Sequence, residues 1–216
     1  MIKNLYIDIE TIPSGDKIDP ATMNPPSQMK KEDTIAKWYA EEAPRAAEEQ
    51  YLKRALKSME GEILCVGWAI DDGDVYSFMR YEEEHKFMLG LEDCLREALD
   101  KFDSLIWIGH NILTFDMPWI WRRCIKYGCR WLANQIRLDR YKGNIQDTMR
   151  IWAGADYQDY TSLNDLARWL GVGEQIGSGS EVYGLYLAGK MDEISEHCSG
   201  DVELVRKVYK RIVEGE

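Results

Sequence analysis

No stretch of this sequence approaches the roughly 20 consecutive apolar residues that cross a bilayer. The apolar start, Met-Ile-Lys-Asn-Leu-Tyr-Ile-Asp, carries charge and has no small-residue cleavage site. Neither a membrane span nor a secretory leader is expected. Cysteine is sparse, five residues without paired spacing, which argues against a disulfide framework and points to a reducing, cytoplasmic setting. Cys124 and Cys129 lack the second Cys/His pair of a zinc site and read as buried thiols. Positive charge is also short: 27 Lys and Arg against 38 Asp and Glu leave a net charge of −11. That balance argues against a protein that grips duplex DNA by bulk attraction. Internal repeats, low-complexity tracts and interdomain linkers are all missing.

What is present is an ordinary core-forming mixture, 45% hydrophobic and 30% charged over 216 residues, enough for a single domain spanning 1–216. Apolar runs at 5–9, 63–70 and 105–109 predict buried strands, and 75–79 returns as a hairpin partner after the turn 71–74. Residues 144–149 predict a short fifth strand. Helices are expected over 83–102, from Pro118 to Gly128, from Ser162 to Gly171, over 181–188 and over 192–213. Residues 31–59 predict two helical pieces broken near Pro44, the second burying Leu52, Ala55, Leu56 and Met59. The region of about 13–59 is thus a loop and helical insertion after the first strand. A glycine- and serine-rich segment, 173–180, predicts a mobile loop. The order implies an α/β fold with a mixed sheet, antiparallel at the hairpin and parallel across the helical crossovers.

Asp8 and Glu10 end the first strand, and period-two alternation puts both carboxylates on one side. Burying that pair is costly unless a cation compensates it. Asp116 follows the strand 105–109 at a helix start, and ligands in open α/β sheets collect beyond the carboxyl ends of strands. A plain helix cap would equally explain an aspartate there. His197 and Asp201 stand four residues apart, one turn along a helix, where imidazole and carboxylate could share a site; a surface pair has the same spacing. Between Trp121 and Ile145 lie seven basic residues (Arg122, Arg123, Lys126, Arg130, Arg137, Arg140, Lys142) against Asp139 alone. This strip is either a phosphate-facing surface or a solvated helix face. Trp68 and Trp107 read as core; Trp119, Trp121 and Trp131 are the better candidates for stacking bases, although packing is favoured even for them.

Asp8-x-Glu10, Asn111-x-x-x-Phe115-Asp116 and His197-x-x-x-Asp201, in that order, resemble the three motifs of DEDD (DnaQ-like) 3′–5′ exonucleases. The likeness is greatest to the predicted exonucleases related to the proofreading domain of family-B DNA polymerases. Ser178-Gly-Ser-Glu-Val-Tyr-Gly-Leu-Tyr and Glu193-Ile-Ser-Glu-His-Cys-Ser-Gly-Asp-Val share in it. It covers most of the chain, least typically the insertion.

The resemblance implies an RNase H-like mixed five-stranded sheet flanked by helices. It implies two Mg²⁺ or Mn²⁺ ions, with Asp8 bridging them, Glu10 and Asp201 completing one and Asp116 reaching the other. His197 would take the proton of the attacking water, and a nucleoside 5′-monophosphate would leave the 3′ end. Thr11, Ile12, His110, Asn111 and Phe115 would line the path of the terminal nucleotide. In the family, histidine usually stands four residues from the aspartate and tyrosine three. The shorter ring at the tyrosine spacing predicts a water relay or a bend at Gly200. The expected substrate is a single-stranded or frayed 3′ end, DNA before RNA, with a replication or repair partner left open. Rival readings are an endonuclease with the same carboxylates and an inactive fold kept as a nucleic-acid or protein binding module. The acidic balance predicts low processivity and a rate that falls steeply with added salt; binding that survives high salt would contradict it.

Overall fold

Alternation along the first strand sorts the core into two layers. Leu5, Ile7 and Ile9 point into one apolar cluster, and Tyr6 points into the other. The parity that sends Tyr6 to the second face sends Asp8 and Glu10 there as well. The computed structural model describes residues 2–102, 104–139, 143–156 and 158–215. The chain forms two compact units, Met1–Glu10 with Ile63–Glu216, and Thr11–Glu62.

The strands and helices run β1 (Ile2–Pro13), α1 (Glu32–Glu41), α2 (Ala43–Leu52), β2 (Gly61–Ile70), β3 (Val75–Met79), α3 (Glu84–Leu99), β4 (Ser104–Gly109), α4 (Asp116–Tyr127), α5 (Arg130–Gln135), β5 (Ile145–Asp147), α6 (Thr148–Ala153), α7 (Leu163–Leu170), α8 (Val182–Leu187) and α9 (Met191–Tyr209). The sheet is five-stranded in the order β3-β2-β1-β4-β5. β2 and β3 pair antiparallel, whereas β1 with β4 and β4 with β5 pair parallel, which makes the sheet mixed as expected. The register sets Tyr6 against Ile108 and Gly109 against Asp147, so β1, β4 and β5 run toward the same end of the sheet.

One face of the sheet packs α3, α4 and α5 through Met88, Leu91, Leu95, Ile120 and Leu132. The other packs α7 and α9 through Leu166, Val202, Val205 and Val208. At Gly67 a side chain would bring its Cβ within 2.9 Å of Val202 Cγ2 and 3.0 Å of Cys198 Sγ. Glycine there lets α9 lie close on β2, and α9 sets Cys198 beside Asp8 of β1. Gly128 ends α4 in the left-handed conformation (φ 81°), as the sequence suggests.

Several details differ from expectation. The fifth strand is only three residues, because Asp147 caps α6 by accepting from Met149 N and Arg150 N. In the unit Thr11–Glu62 the two helical pieces broken near Pro44 are present as expected, with Pro44 in the first turn of α2. The expected packed face is exposed, with Leu56 at 67% and Met59 at 93%; Ala43, Ala47 and Tyr51 are buried instead. The helix gives way to a 3₁₀ turn at Lys53–Leu56, which ends the 3.6-residue period on which that face depended. Trp68, Trp107 and Trp119 are all core. Cys124 and Cys129 are buried free thiols.

The basic strip is not one surface. Arg123 is buried, its Nε 2.6 Å from Glu84 Oε1, while Arg140 and Lys142 lie outside the described residues. Glu84 also accepts from Ile63 N at 2.8 Å and from Tyr127 Oη at 2.8 Å, joining α3, β2 and α4. Glu84→Gln removes the charge that faces the buried Arg123 guanidinium, and a loss of about 2–3 kcal/mol is expected by chemical denaturation. An unchanged midpoint would show that the pair contributes little.

Candidate active site

Asp8, half-buried, and Glu10, buried, lie within β1 rather than at its end as expected, because the strand continues to Pro13. Asp116 opens α4 and is buried, and its Oδ1 accepts from Ile9 N at 3.0 Å, so the Asp116 carboxylate is held against the backbone between Asp8 and Glu10. From above, α9 contributes His197, Cys198 and Asp201, all buried. The helix runs through Gly200 without a break. His197 Nε2 stands 3.3 Å from Glu10 Oε1 and 3.8 Å from Asp201 Oδ2, so the ring reaches the carboxylates with no bend.

These groups repel one another. Burial pushes Asp8 and Glu10 well above the usual carboxylate range, with further upward pressure on Asp8 from Asp116, Glu10 and Asp201. Burial also raises Asp116, to about 7, and raises Asp201 against the opposing pull of His197. Cys198 Sγ lies beside Asp8, 3.7 Å from its carbonyl and 3.9 Å from Oδ2. A hydrogen bond with Cys65 and then burial push this thiol up, so it stays protonated as a weak donor.

Two overlapping sets, Asp8–Glu10–Cys198 and Glu10–His197–Asp201, bring possible ligand atoms within 4.8 Å of one another. His197 Nε2 and Asp201 Oδ1 are buried and make no hydrogen bond. Orphaned polar atoms are costly inside a protein, and a divalent cation would both satisfy them and neutralise the clustered acids. The donors present therefore fit a metal ion.

The segment 173–180 is anchored over this cluster rather than free of it. Gln175 Nε2 donates to Asp201 Oδ2 at 2.5 Å, and His197 Nδ1 donates to the Ile176 carbonyl at 2.5 Å. Sequence reading missed both partners, as it missed Asp147. That carboxylate is buried and accepts from Asn111 N at 2.9 Å and Leu113 N at 3.2 Å, shaping the turn that delivers Asp116. The one available signal was an aspartate immediately before a helix start.

The remaining expected residues have local partners. His110 Nε2 donates to the Thr161 carbonyl and Nδ1 meets Thr148 Oγ1, both at 2.9 Å, while burial holds the ring below the usual imidazole pKa. Asn111 takes a positive φ of 59° and its side chain accepts from Thr114 Oγ1. Phe115 packs on Trp119 with ring centroids 5.7 Å apart. Thr11 Oγ1 donates to the Ala55 carbonyl at 2.6 Å, and Ile12 is buried; both belong to the unit Thr11–Glu62. A cavity of about 690 Å³ opens beyond β5, lined by Thr114, Asp147, Arg150 and Tyr160 among others, and none of the clustered acids lines it.

Residues 89–214 match a family model described as a predicted 3′–5′ exonuclease related to the exonuclease domain of PolB. The chain belongs to that family. Asp116, His197 and Asp201 fall within the matched span, and Asp8 and Glu10 precede it. The fold is also similar to the family B DNA polymerase of the hyperthermophilic archaeon Pyrobaculum calidifontis, with a TM-score of 0.62 and 15% identity. That match covers 98% of this chain and 24% of the polymerase, so the chain spans about a quarter of the polymerase's length. At such identity the likeness concerns the fold. No curated protein matches the chain.

Proposed function

We propose that the protein is a metal-dependent 3′–5′ exonuclease that releases nucleoside 5′-monophosphates from single-stranded or frayed 3′ ends, DNA in preference to RNA. The observation that carries this reading is the convergence of Asp8, Glu10, Asp116 and Asp201, from three separate elements, around buried polar atoms without partners. In this reading the four carboxylates hold two Mg²⁺ or Mn²⁺ ions. Bound divalent ions would supply the positive charge that activates water and stabilises the phosphoryl oxygens during an in-line displacement. Ile9 N fixes the Asp116 carboxylate, Gln175 orients Asp201, and the Ile176 carbonyl fixes the tautomer and direction of His197. Asn111 and Phe115, on the turn leading to Asp116, are the nearest candidates to meet the terminal nucleotide. The scheme needs no separate side-chain base. Both compact units are taken together as one exonuclease domain, with the helical segment as an insertion.

The test is degradation of 5′-labelled single-stranded DNA and matching RNA with Mg²⁺ or Mn²⁺. The expected result is a ladder shortening from the 3′ end that disappears with Asp8→Ala. Internal cuts would instead indicate an endonuclease. No cleavage of either polymer with either ion would favour a binding module.

A further inference from the structure

The family resemblance implies a proton-accepting role for His197, but the geometry gives its nitrogen another use. Nδ1 faces a carbonyl oxygen, which can only accept, so Nδ1 carries the ring proton. Nε2 is the ring nitrogen left to face the carboxylates. That nitrogen is buried, makes no hydrogen bond, and lies 3.3 Å from Glu10 Oε1 and 3.8 Å from Asp201 Oδ2. An unpartnered ring nitrogen and two carboxylate oxygens converging on one place make a set of donors that a cation could join.

The spacing suits one. Ligand atoms about 2.1 Å from a common ion lie about 3.0 Å apart at right angles and about 3.4 Å apart at tetrahedral angles. The observed separations are close to that range. Histidine at the three-residue spacing makes this arrangement direct, since one helical turn stacks Nε2 beside the Asp201 carboxylate on the same face of α9.

Resting on the metal-dependent reading of the site, we propose that His197 Nε2 is itself a metal ligand, joining Glu10 and Asp201 to hold one transition-metal ion. The expected selectivity follows from donor chemistry. Mg²⁺ favours an all-oxygen octahedron, whereas Mn²⁺, Co²⁺ and Zn²⁺ accept imidazole readily. The carbonyl behind Nδ1 is the usual device that orients a ligating imidazole and raises its basicity. A cavity of about 290 Å³ beside the ring is lined by His197 together with Glu181, Glu193 and Glu196, whose charge favours cations near that surface. Of the other two histidines, His110 has both nitrogens engaged and His85 packs on Tyr127 with ring centroids 5.5 Å apart.

The experiment uses the full chain, free of any histidine tag, in a buffer without amines. Mn²⁺ is titrated by calorimetry and the Mn²⁺-loaded protein is examined by pulsed electron paramagnetic resonance, with His197→Gln beside it. The wild-type spectrum should show modulation from a directly bonded imidazole nitrogen, and His197→Gln should lose it. In that variant Mn²⁺ affinity should fall about tenfold or more, while Mg²⁺ affinity changes much less. Tight Mn²⁺ binding without nitrogen modulation would overturn the proposal and leave the metal-dependent reading intact; an imidazolium paired with Glu10 gives that result. Nitrogen modulation persisting in a folded His197→Gln would overturn it too. Failure of the wild type to bind either ion would overturn both this inference and the reading beneath it. The wild-type spectrum alone decides the question if the variant does not fold.

Discussion

Asp8→Asn is expected to lower the exonuclease rate by on the order of 10³-fold and, in the same protein, to raise the melting temperature of the metal-free form. The loss of rate comes from removing a charged ligand where the reaction needs fixed electrostatic stabilisation; single preorganised groups at such sites are worth about 10²–10³ in kcat. The gain in stability has the same origin with the opposite sign. Burial raises Asp8 well above its usual range, and Asp116, Glu10 and Asp201 raise it further. A neutral amide of nearly the same shape removes the repulsion and keeps the packing. For a chain of this size each kcal/mol relieved corresponds to about 2–4 °C in Tm. The variant should also lose most of the Tm increase that saturating Mn²⁺ gives the wild type. The two measurements are a gel assay of 3′ shortening and thermal unfolding with and without the ion. A variant that is inactive and also less stable without metal would show that Asp8 is held by favourable contacts, contrary to the repulsive cluster described here.

The second large effect is a pH dependence that reverses when metal binds. Asp116 is raised to about 7 from an unfolded value of 3.8. A group whose folded pKa is raised contributes stability that is present below the unfolded value and is lost as pH rises through the folded one. The window is therefore about pH 4 to 7 for Asp116, and Asp8, Glu10 and Asp201 act in the same direction. One such group costs about 1.4 kcal/mol for each pH unit crossed. Other acids titrate in the same range, so the informative quantity is the difference between wild type and Asp116→Asn. Metal-free wild type should fall behind the variant as pH rises from 5 to 8. At pH 8, ion at 100 times its Kd should restore about 2.7 kcal/mol to the wild type. At pH 5 the same ion should restore much less, because protons hold its ligands. Parallel curves for wild type and variant between pH 5 and 8 would show that Asp116 is already ionised throughout.

Much of this arrangement was legible in the sequence, for reasons tied to local geometry. Dense apolar runs marked three of the five strands, β1, β2 and β4, and the turn 71–74 marked the hairpin that adds β3. Parity along β1 sent Asp8 and Glu10 to one face, because side chains of a strand repeat every two residues. Four-residue spacing put His197 and Asp201 on one face of α9, because that is about one helical turn. Period alone misled at Leu52–Met59, where a 3₁₀ turn interrupts the helix and leaves Leu56 and Met59 in solvent.

Only the tertiary structure decided what holds the site in place. The partner of Asp116 is a backbone amide 107 residues away, and Gln175 meets Asp201 across 26 residues. Glu84 and Arg123 pair inside the core, so a residue of an apparent basic surface strip is structural. Asp147 shapes the turn at Asn111 and Leu113 from another strand. Local period reports which face a side chain takes. It carries nothing about which distant polar group will be waiting there, because that depends on how β1, β4, α4 and α9 are packed together. The same packing decided the direction of His197: the sequence placed it one turn from Asp201, and the Ile176 carbonyl, 21 residues earlier, turned its Nε2 toward Glu10.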